Sequence, residues 1–580
     1  MSEYAFRLNK VSPQLSEECF KVFCGYVCPK VTKNWASIYG LPYASLVLPD
    51  IPLSPSIVAH NLIHCTYSFS SMVDFERVWF SGGFQVFKAD QNITKLSCPG
   101  DRSKKKMVVN ACLSIDIHYK LDNFLRPVLI YVAGQDFTEQ NSKLISVEMA
   151  NALNVIVINV RVRTGVFGFG YLDSGSTKPN NAITDLENAL TFIREQILEK
   201  IHANSDKLTL FAEGSAVPLV AVLYTKTQQV SSEKRGFHQL WLQNGGINVP
   251  ERESKESDFL QSIRADPIIY KDFLTWISKS EQTTEFKYLS IDQKIENWMK
   301  TELTTERLFE FLPPAWTRAL AKESFSSPVF AKKDGQSSCL LCTLADQAQS
   351  KLFSDVPFLI YQNLDSGSID QLELVDLYSQ STFESLVKQT LSTLKEMDPV
   401  IDFDRELLRI YEGQTTVSGD PKILYKQVLL NMINDVRRNC PQLWFAKFLI
   451  YRRHVVKNSV YLLFDTAKSR QLQELQSNTR CQMPWFLSST SNECQVKNNE
   501  GKGAELFLKI LKEFMHTGSV VSLERMQYPE PDKFVNIYNH STSSFVKGNK
   551  RVEAMLEMCK IWASEEKLNN EILTKFSSYF

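Results

Sequence analysis

The run Leu208-Thr209-Leu210-Phe211-Ala212-Glu213-Gly214-Ser215-Ala216 sets a buried-strand pattern directly against the start of a helix. Ala212, Gly214 and Ala216 keep every second position of the junction small. A chain can turn from strand to helix this sharply only where side chains leave room, and glycine adopts the backbone such a bend needs without a Cβ penalty. The surrounding sequence has the same alternating character. Val128 to Val132, Val155 to Val160 and Leu208 to Phe211 are short apolar runs of the kind buried in a parallel sheet. Between the last two, from Asp185 to Ile201, Leu186, Ala189, Leu190, Ile193 and Ile197 recur at helical spacing. Strand, helix and strand in this order place parallel strands side by side, with helices over both faces of the sheet. Gln243 to Gly246 then ends a further strand with turn-forming residues. The expected fold class is therefore α/β, built on a large, mostly parallel central sheet.

The junction resembles the nucleophile elbow G-x-S-x-G of α/β-hydrolases, in which a strained serine projects its hydroxyl from a strand-to-helix turn. Aligned from the strand, Ala212 falls at the first glycine, Gly214 at the serine and Ala216 at the second glycine. Neighbouring segments extend the likeness in order along the chain. Pro127 to Phe137 is similar to the P-V-L-V-W-I-H-G-G-G-F strand of type-B carboxylesterases and cholinesterases. Asn154 to Phe169, ending Arg163-Thr164-Gly165-Val166-Phe167-Gly168-Phe169, resembles the family's N-Y-R-L-G-x-F-G-F ending. Asn180 to Ile197 resembles its next helix, with Asp185, Ala189 and Leu190 retained. Phe237 to Gly245 is similar to F-x-x-A-I-x-Q-S-G. Further likenesses lie at Gly40 to Ala44, Cys112 to Ile117, Val356 to Ile360 and Val460 to Phe464. The resemblance implies an α/β-hydrolase fold formed as one unit over residues 1–580. Its core sheet segments would lie at about 112–247, 355–367 and 460–464, with helical lid insertions at about 251–350 and 375–449.

Carried over residue by residue, the resemblance implies a catalytic site that has lost its parts. Acyl transfer needs a nucleophile, a histidine base, an acid to orient it and donors for the oxyanion. Gly214 has no side chain to attack with. Ser366 stands where the family has its glutamate, and a neutral hydroxyl cannot stabilise an imidazolium as a carboxylate does; Asp365 beside it corresponds to a separate family residue. No histidine occurs between His454 and His516, the stretch where the base should lie. His454 ends a basic cluster, Arg452-Arg453-His454, and His516 fits the last turn of a helix. Ala133, Gln135 and Asp136 interrupt the H-G-G-G oxyanion stretch, whose glycines let backbone N–H groups approach the developing charge. An ionised Asp136 would oppose that charge by about 1 kcal/mol at 4 Å even in water. Sliding the elbow by one residue to make Ser215 the nucleophile sets Glu213 and Val217 on its flanks, which are too large for the turn.

Composition bounds the remaining classes. The 580 residues carry 65 basic and 65 acidic side chains, so no net field favours nucleic acid or an anionic membrane, and no basic stripe interleaved with aromatics is present. No apolar run approaches the ~20 residues of a membrane span. No cluster has metal-ligand spacing, since Cys339 and Cys342 have no second half-site and Cys24 and Cys28 are similarly unsupported; no cofactor is expected. The start shows no signal-peptide pattern, which favours the cytosol. The resemblance points the other way, because Cys98 with Cys112, and Cys440 with Cys559, stand at the family's disulfide positions and disulfides persist in oxidising compartments. The compartment is left open between these. Non-catalytic members of the family act through protein partners, so an unidentified protein partner is the leading expectation. A homodimer through Leu506 to Met515 and Val552 to Trp562 is a second expected association. An apolar small ligand in the relict pocket, and an atypical ester hydrolase using Ser215, Ser366 or Asp136, are the alternatives.

Overall fold

The structure is a computed structural model. It describes residues 19–22, 25–47, 55–58, 78–81, 84–88, 113–134, 145, 147–163, 168, 181–214, 216–227, 235–245, 267–280, 284–301, 356–364, 431, 434–451, 459–465, 501–527, 531–539 and 544–564. The chain divides into two compact units, Met1–Leu210 with Ser254–Leu312 and Phe325–Pro328, and Phe211–Glu253 with Pro313–Ser324 and Val329–Phe580. Among the described residues no helix is long and apolar enough to cross a membrane.

In the first unit the main sheet holds β1 (Lys30–Thr32), β2 (Trp35–Pro42), β3 (Ser114–Lys120), β4 (Arg126–Gly134) and β5 (Ile156–Val160). Their order is β1-β2-β3-β5-β4. β4 and β5 run parallel, with Val128 opposite Ile156 and Val132 opposite Val160, and the remaining pairs are antiparallel. Residues on both faces of β4 and β5 are buried, which is why these strands read as unbroken apolar runs. Between Ile38 and Leu41 the β2–β3 register shifts. Gly40 takes φ 64° there, and its N–H donates to Asp116 Oδ1 at 2.6 Å. A left-handed glycine is the residue such a bulge requires, so the Gly40 to Ala44 likeness marks a bend. A separate four-stranded sheet joins Phe20–Val22, Gly25–Cys28, Phe84–Lys88 and Val78–Ser81, and a Cys19–Cys28 disulfide closes its first hairpin.

The helix expected from Asp185 starts earlier and ends differently. α1 (Val147–Leu153) precedes it; α2 covers Asn181–Phe192 and passes into a π-helical turn at Ile193–Ile197. Ile183, Leu186, Ala189, Leu190 and Phe192 are buried. β6 (Ala203–Gly214) is likewise longer than its apolar signal. Its first five residues are exposed or half-buried, so hydrophobicity marks only the part beginning at Leu208.

Two buried ion pairs brace this unit. Arg163 donates from Nε to Asp185 Oδ2 at 2.8 Å and from Nη2 to Oδ1 at 2.7 Å, with both side chains fully buried. Ser56 Oγ donates to Asp185 Oδ1 at 2.5 Å. A Cβ on Gly168 would lie 2.3 Å from the Arg163 carbonyl oxygen, so only glycine fits this close to the Arg163 backbone. Arg161 grips Asp116 in the same two-pronged way, with Nη1 to Oδ1 at 2.8 Å. The retained Asp185 and the Arg163 motif thus belong to a structural ion pair. Burial and Asp185 hold the Tyr43 hydroxyl well above the usual tyrosine range.

His118 lies beside the second pair, its Nδ1 3.0 Å from Ser37 Oγ and its ring 5.4 Å from that of Tyr39. Burial lowers it from 6.5; Asp116 and Glu148 oppose that shift and Arg161 reinforces it. A depressed histidine favours folding above the unfolded value, and that contribution is lost as pH falls from about 6.5 through the folded value. The denaturant midpoint is therefore expected to drop between pH 7 and pH 5, and His118→Gln should shrink the drop. An equal drop in the variant would place the sensitivity elsewhere.

Candidate functional site

The second unit contains the strand-to-helix junction. Phe211 to Gly214 ends β6, and α3 (Ala216–Lys226) begins two residues later. Every residue of α3 from Ala216 to Thr225 is buried, as expected for a helix apolar all round. Pro218 sits in its first turn, where a missing N–H costs nothing. Gly214 takes φ 58°, in the left-handed region where a residue with a Cβ is strained by roughly 1–2 kcal/mol.

Four parallel strands follow: β7 (Gln239–Gln243), β8 (Phe358–Asn363), β9 (Val460–Asp465) and β10 (Asn536–Asn539), closed by antiparallel β11 (Ser544–Val546). Phe211 on β6 stacks on Trp241 of β7, with ring centroids 3.7 Å apart and planes 7° from parallel. Beyond β7 the chain presses on the junction. A Cβ on Gly245 would lie 2.2 Å from the Gly214 carbonyl oxygen and 2.5 Å from Val217 Cβ, so only glycine fits. Asn244 takes φ 50°, which asparagine tolerates better than most residues. Its Oδ1 accepts the Asn363 N–H at 2.8 Å, and its own N–H donates to the Tyr361 carbonyl at 3.0 Å. From α6 (Cys440–Tyr451), Gln442 Nε2 donates to the Gly245 carbonyl. The Asn-Gly turn is thereby fixed from two sides, and the turn at Gly214 with it.

Among the described residues, the polar groups at these strand ends include amides, a phenol and the carboxylate that holds it. Gln243 is wholly buried, and neither atom of its amide has a hydrogen-bond partner among the described residues. Tyr361 Oη donates to Asp465 Oδ2 at 2.5 Å, and burial followed by Asp465 pushes this phenol well above its usual range. Tyr361 also meets Phe507 on α7 (Gly501–Thr517), ring centroids 5.5 Å apart. A phenol held neutral by burial, locked to a carboxylate and packed in aromatics is a structural brace. Such a group has no ready proton acceptance to offer as a general base.

Of the other sequence candidates, Ala133 is the penultimate residue of β4. Gln135, Asp136, Ser215, Asp365, Ser366 and His454 lie outside the described residues, as do Cys24, Cys98, Cys112, Cys339 and Cys342. His516 is half-buried in the last turn of α7. Cys440 and Cys559 are bonded, S–S 2.07 Å, joining α6 to α8 (Lys550–Ser564). Beside that bond Arg551 of α8 donates to Asp435 at 2.8 and 3.1 Å. Among the described residues no group of His, Cys, Asp or Glu is placed to hold a metal ion. Of the first lid region the described helices are α4 (Pro267–Ser280), Thr284–Lys287 and α5 (Ile291–Thr301); of the second, residue 431 and residues 434–449 are described. Sequence reasoning missed the Cys19–Cys28 bond, the Arg161–Asp116 pair and the clamp of Asn244, Gly245 and Gln442. The Asn-Gly dipeptide was the one visible signal for the last.

Comparison with known proteins agrees with this arrangement. Acetylcholinesterase 4 of Caenorhabditis briggsae is 30% identical over 160 residues, 26% of this chain and 25% of that one. Carboxylesterase 5A of Mus musculus is 24% identical over 139 residues, 24% of this chain and 23% of that one. The matched stretches thus span about a quarter of the length of these relatives. A carboxylesterase of Geobacillus stearothermophilus superposes with a TM-score of 0.61 at 16% identity, covering 93% of this chain and 99% of that one. A PNB esterase superposes with a TM-score of 0.62 at 15% identity and the same coverage. These structures share the α/β fold with its large, mixed, mostly parallel sheet. The family model described as the carboxylesterase family matches residues 86–555, and the chain belongs to that family.

Proposed function

We propose that this chain is a non-catalytic member of the carboxylesterase family that acts through a protein partner. The observation that carries the reading is Gly214, which occupies the left-handed turn between β6 and α3. That is the position where the family resemblance puts the nucleophilic serine. A hydroxyl-bearing residue would store strain at such a backbone, and glycine removes both the strain and the chemistry. The sequence supports the same reading elsewhere: Ser366 stands at the acid position, Gln135 and Asp136 stand at oxyanion glycines, and histidine is absent between His454 and His516. The buried, unpaired amide of Gln243 makes the end of β7 polar, which argues against an apolar-ligand carrier.

The test is to restore the missing side chain. Gly214→Ser is expected to destabilise the chain by about 1–2 kcal/mol, the cost of a Cβ in the left-handed region. It should gain no p-nitrophenyl ester turnover above the wild-type background, because a serine without a base remains a poor nucleophile. A gain of a hundredfold or more would mean that a base and an oxyanion site are in place, and would overturn the reading.

A further inference from the structure

The balanced charge of the whole chain conceals a local asymmetry at one end of the first unit. Two connections lie side by side there. A hairpin turn links β1 to β2 through Lys33 and Asn34, and a second turn, Leu121 to Leu125, joins β3 to β4, which β5 separates in the sheet. They are coupled directly, since Leu121 N–H donates to the Asn34 carbonyl at 2.8 Å and Trp35 pairs with Lys120 across the β2–β3 ladder.

The second turn holds two large apolar side chains in water. Phe124 is 72% exposed and Leu125 66%. The turn is braced: Arg126 donates to both Asp122 oxygens, through Nη2 to Oδ2 at 2.8 Å and through Nη1 to Oδ1. Asp122 Oδ1 in turn accepts the Phe124 N–H at 3.2 Å. Arg126 is tied further to Asn154 Oδ1 at 2.9 Å, and its guanidinium sits 5.8 Å from the centre of the Phe124 ring. Phe124 and Leu125 are therefore presented to solvent on a braced turn. Single exposed apolar residues need no explanation, whereas adjacent ones rimmed by charge mark a contact surface.

The rim is cationic. Residues 30–35 and 120–126 include Lys30, Lys33, Lys120 and Arg126 against one carboxylate, Asp122, which is shared by Arg126 and by Lys120 at 3.8 Å, so Lys30 and Lys33 carry the rim's excess charge. Lys30 and Lys33 are exposed, and Val31 between them is 41% exposed. Two adjacent exposed apolar side chains on a braced turn suit insertion among lipid headgroups, and the exposed lysines of the neighbouring turn suit an anionic surface.

We propose that these two turns dock the protein on anionic membranes, with Phe124 and Leu125 entering the headgroup layer and Lys30 and Lys33 facing lipid charge. The test is co-sedimentation of the full chain with phosphatidylcholine vesicles, with and without about a third phosphatidylserine. Binding is expected on the serine-containing vesicles alone, weakening as salt rises. Phe124→Ser with Leu125→Ser should cut it at least tenfold. Lys30→Gln and Lys33→Gln should each cut it about fivefold, the ratio corresponding to about 1 kcal/mol per basic residue near an anionic surface. These residues are exposed, so thermal unfolding should confirm that the variants fold normally. Sedimentation equal on both vesicle types, or unchanged by the Phe124 and Leu125 substitutions, would overturn the proposal. So would failure on vesicles accompanied by retention on immobilised polyglutamate, which would assign the turns to an acidic protein.

Discussion

Replacing Asp185 with asparagine is expected to lower stability by about 3–5 kcal/mol, the cost of leaving one member of a buried pair without its counter-charge. Arg163 and Asp185 have no solvent exposure at all. Without the carboxylate, the Arg163 guanidinium keeps its charge and loses one of the two oxygens that accept from Nε and Nη2. Ser56 Oγ and the Arg163 N–H lose part of their acceptor as well. Urea unfolding followed by far-ultraviolet circular dichroism would measure the loss, with attention to whether the two units unfold together. The double variant Arg163→Met/Asp185→Leu should be less damaging than Asp185→Asn alone, since removing both charges removes the stranded one. A single-variant loss below about 0.5 kcal/mol, the scale of an ordinary surface change, would contradict the structural role assigned to this pair.

The bond between Cys440 and Cys559 should have an effect of similar size through a different route. It closes a loop with a sequence separation of 119, for which loss of unfolded-chain entropy corresponds to about 4–5 kcal/mol. Cys440→Ser/Cys559→Ser is expected to lose most of this, measured as a shift in denaturant midpoint against the oxidised wild type. Both sulfurs are buried, and the neighbouring Arg551–Asp435 pair makes a second tie between α8 and the helical turn preceding α6. A loss under 1 kcal/mol would mean that this pair, and the packing around it, already hold α8 in place.

Burial on both faces is what made β4 and β5 legible, since a strand covered on both sides must be apolar throughout, whereas β8 was marked by family likeness. β6 shows where that signal stops: its apolar half begins at Leu208, and its polar beginning from Ala203 needs a neighbouring strand that periodicity cannot supply. β1 is exposed along its length, and no hydrophobic pattern marks it. The Gly214 turn was visible because backbone geometry restricts the residue itself. The clamp at Gly245 depends on a tertiary approach to the Gly214 carbonyl too close to admit a Cβ, and nothing local in the sequence encodes that approach. Asp185 stood out as a retained family position, yet its role required Arg163, 22 residues earlier, whose pairing is set by the fold. The Cys440–Cys559 bond was implied by resemblance alone, because sequence spacing does not determine disulfide connectivity.

The central claim is that the turn at Gly214 presents no nucleophile, and active-site labelling tests it most directly. Purified protein would be treated with a fluorophosphonate probe, with heat-treated protein and Ser215→Ala as controls. The account predicts no labelling above these controls. Stoichiometric labelling that disappears in Ser215→Ala would contradict it, placing an activated serine one residue beyond the glycine.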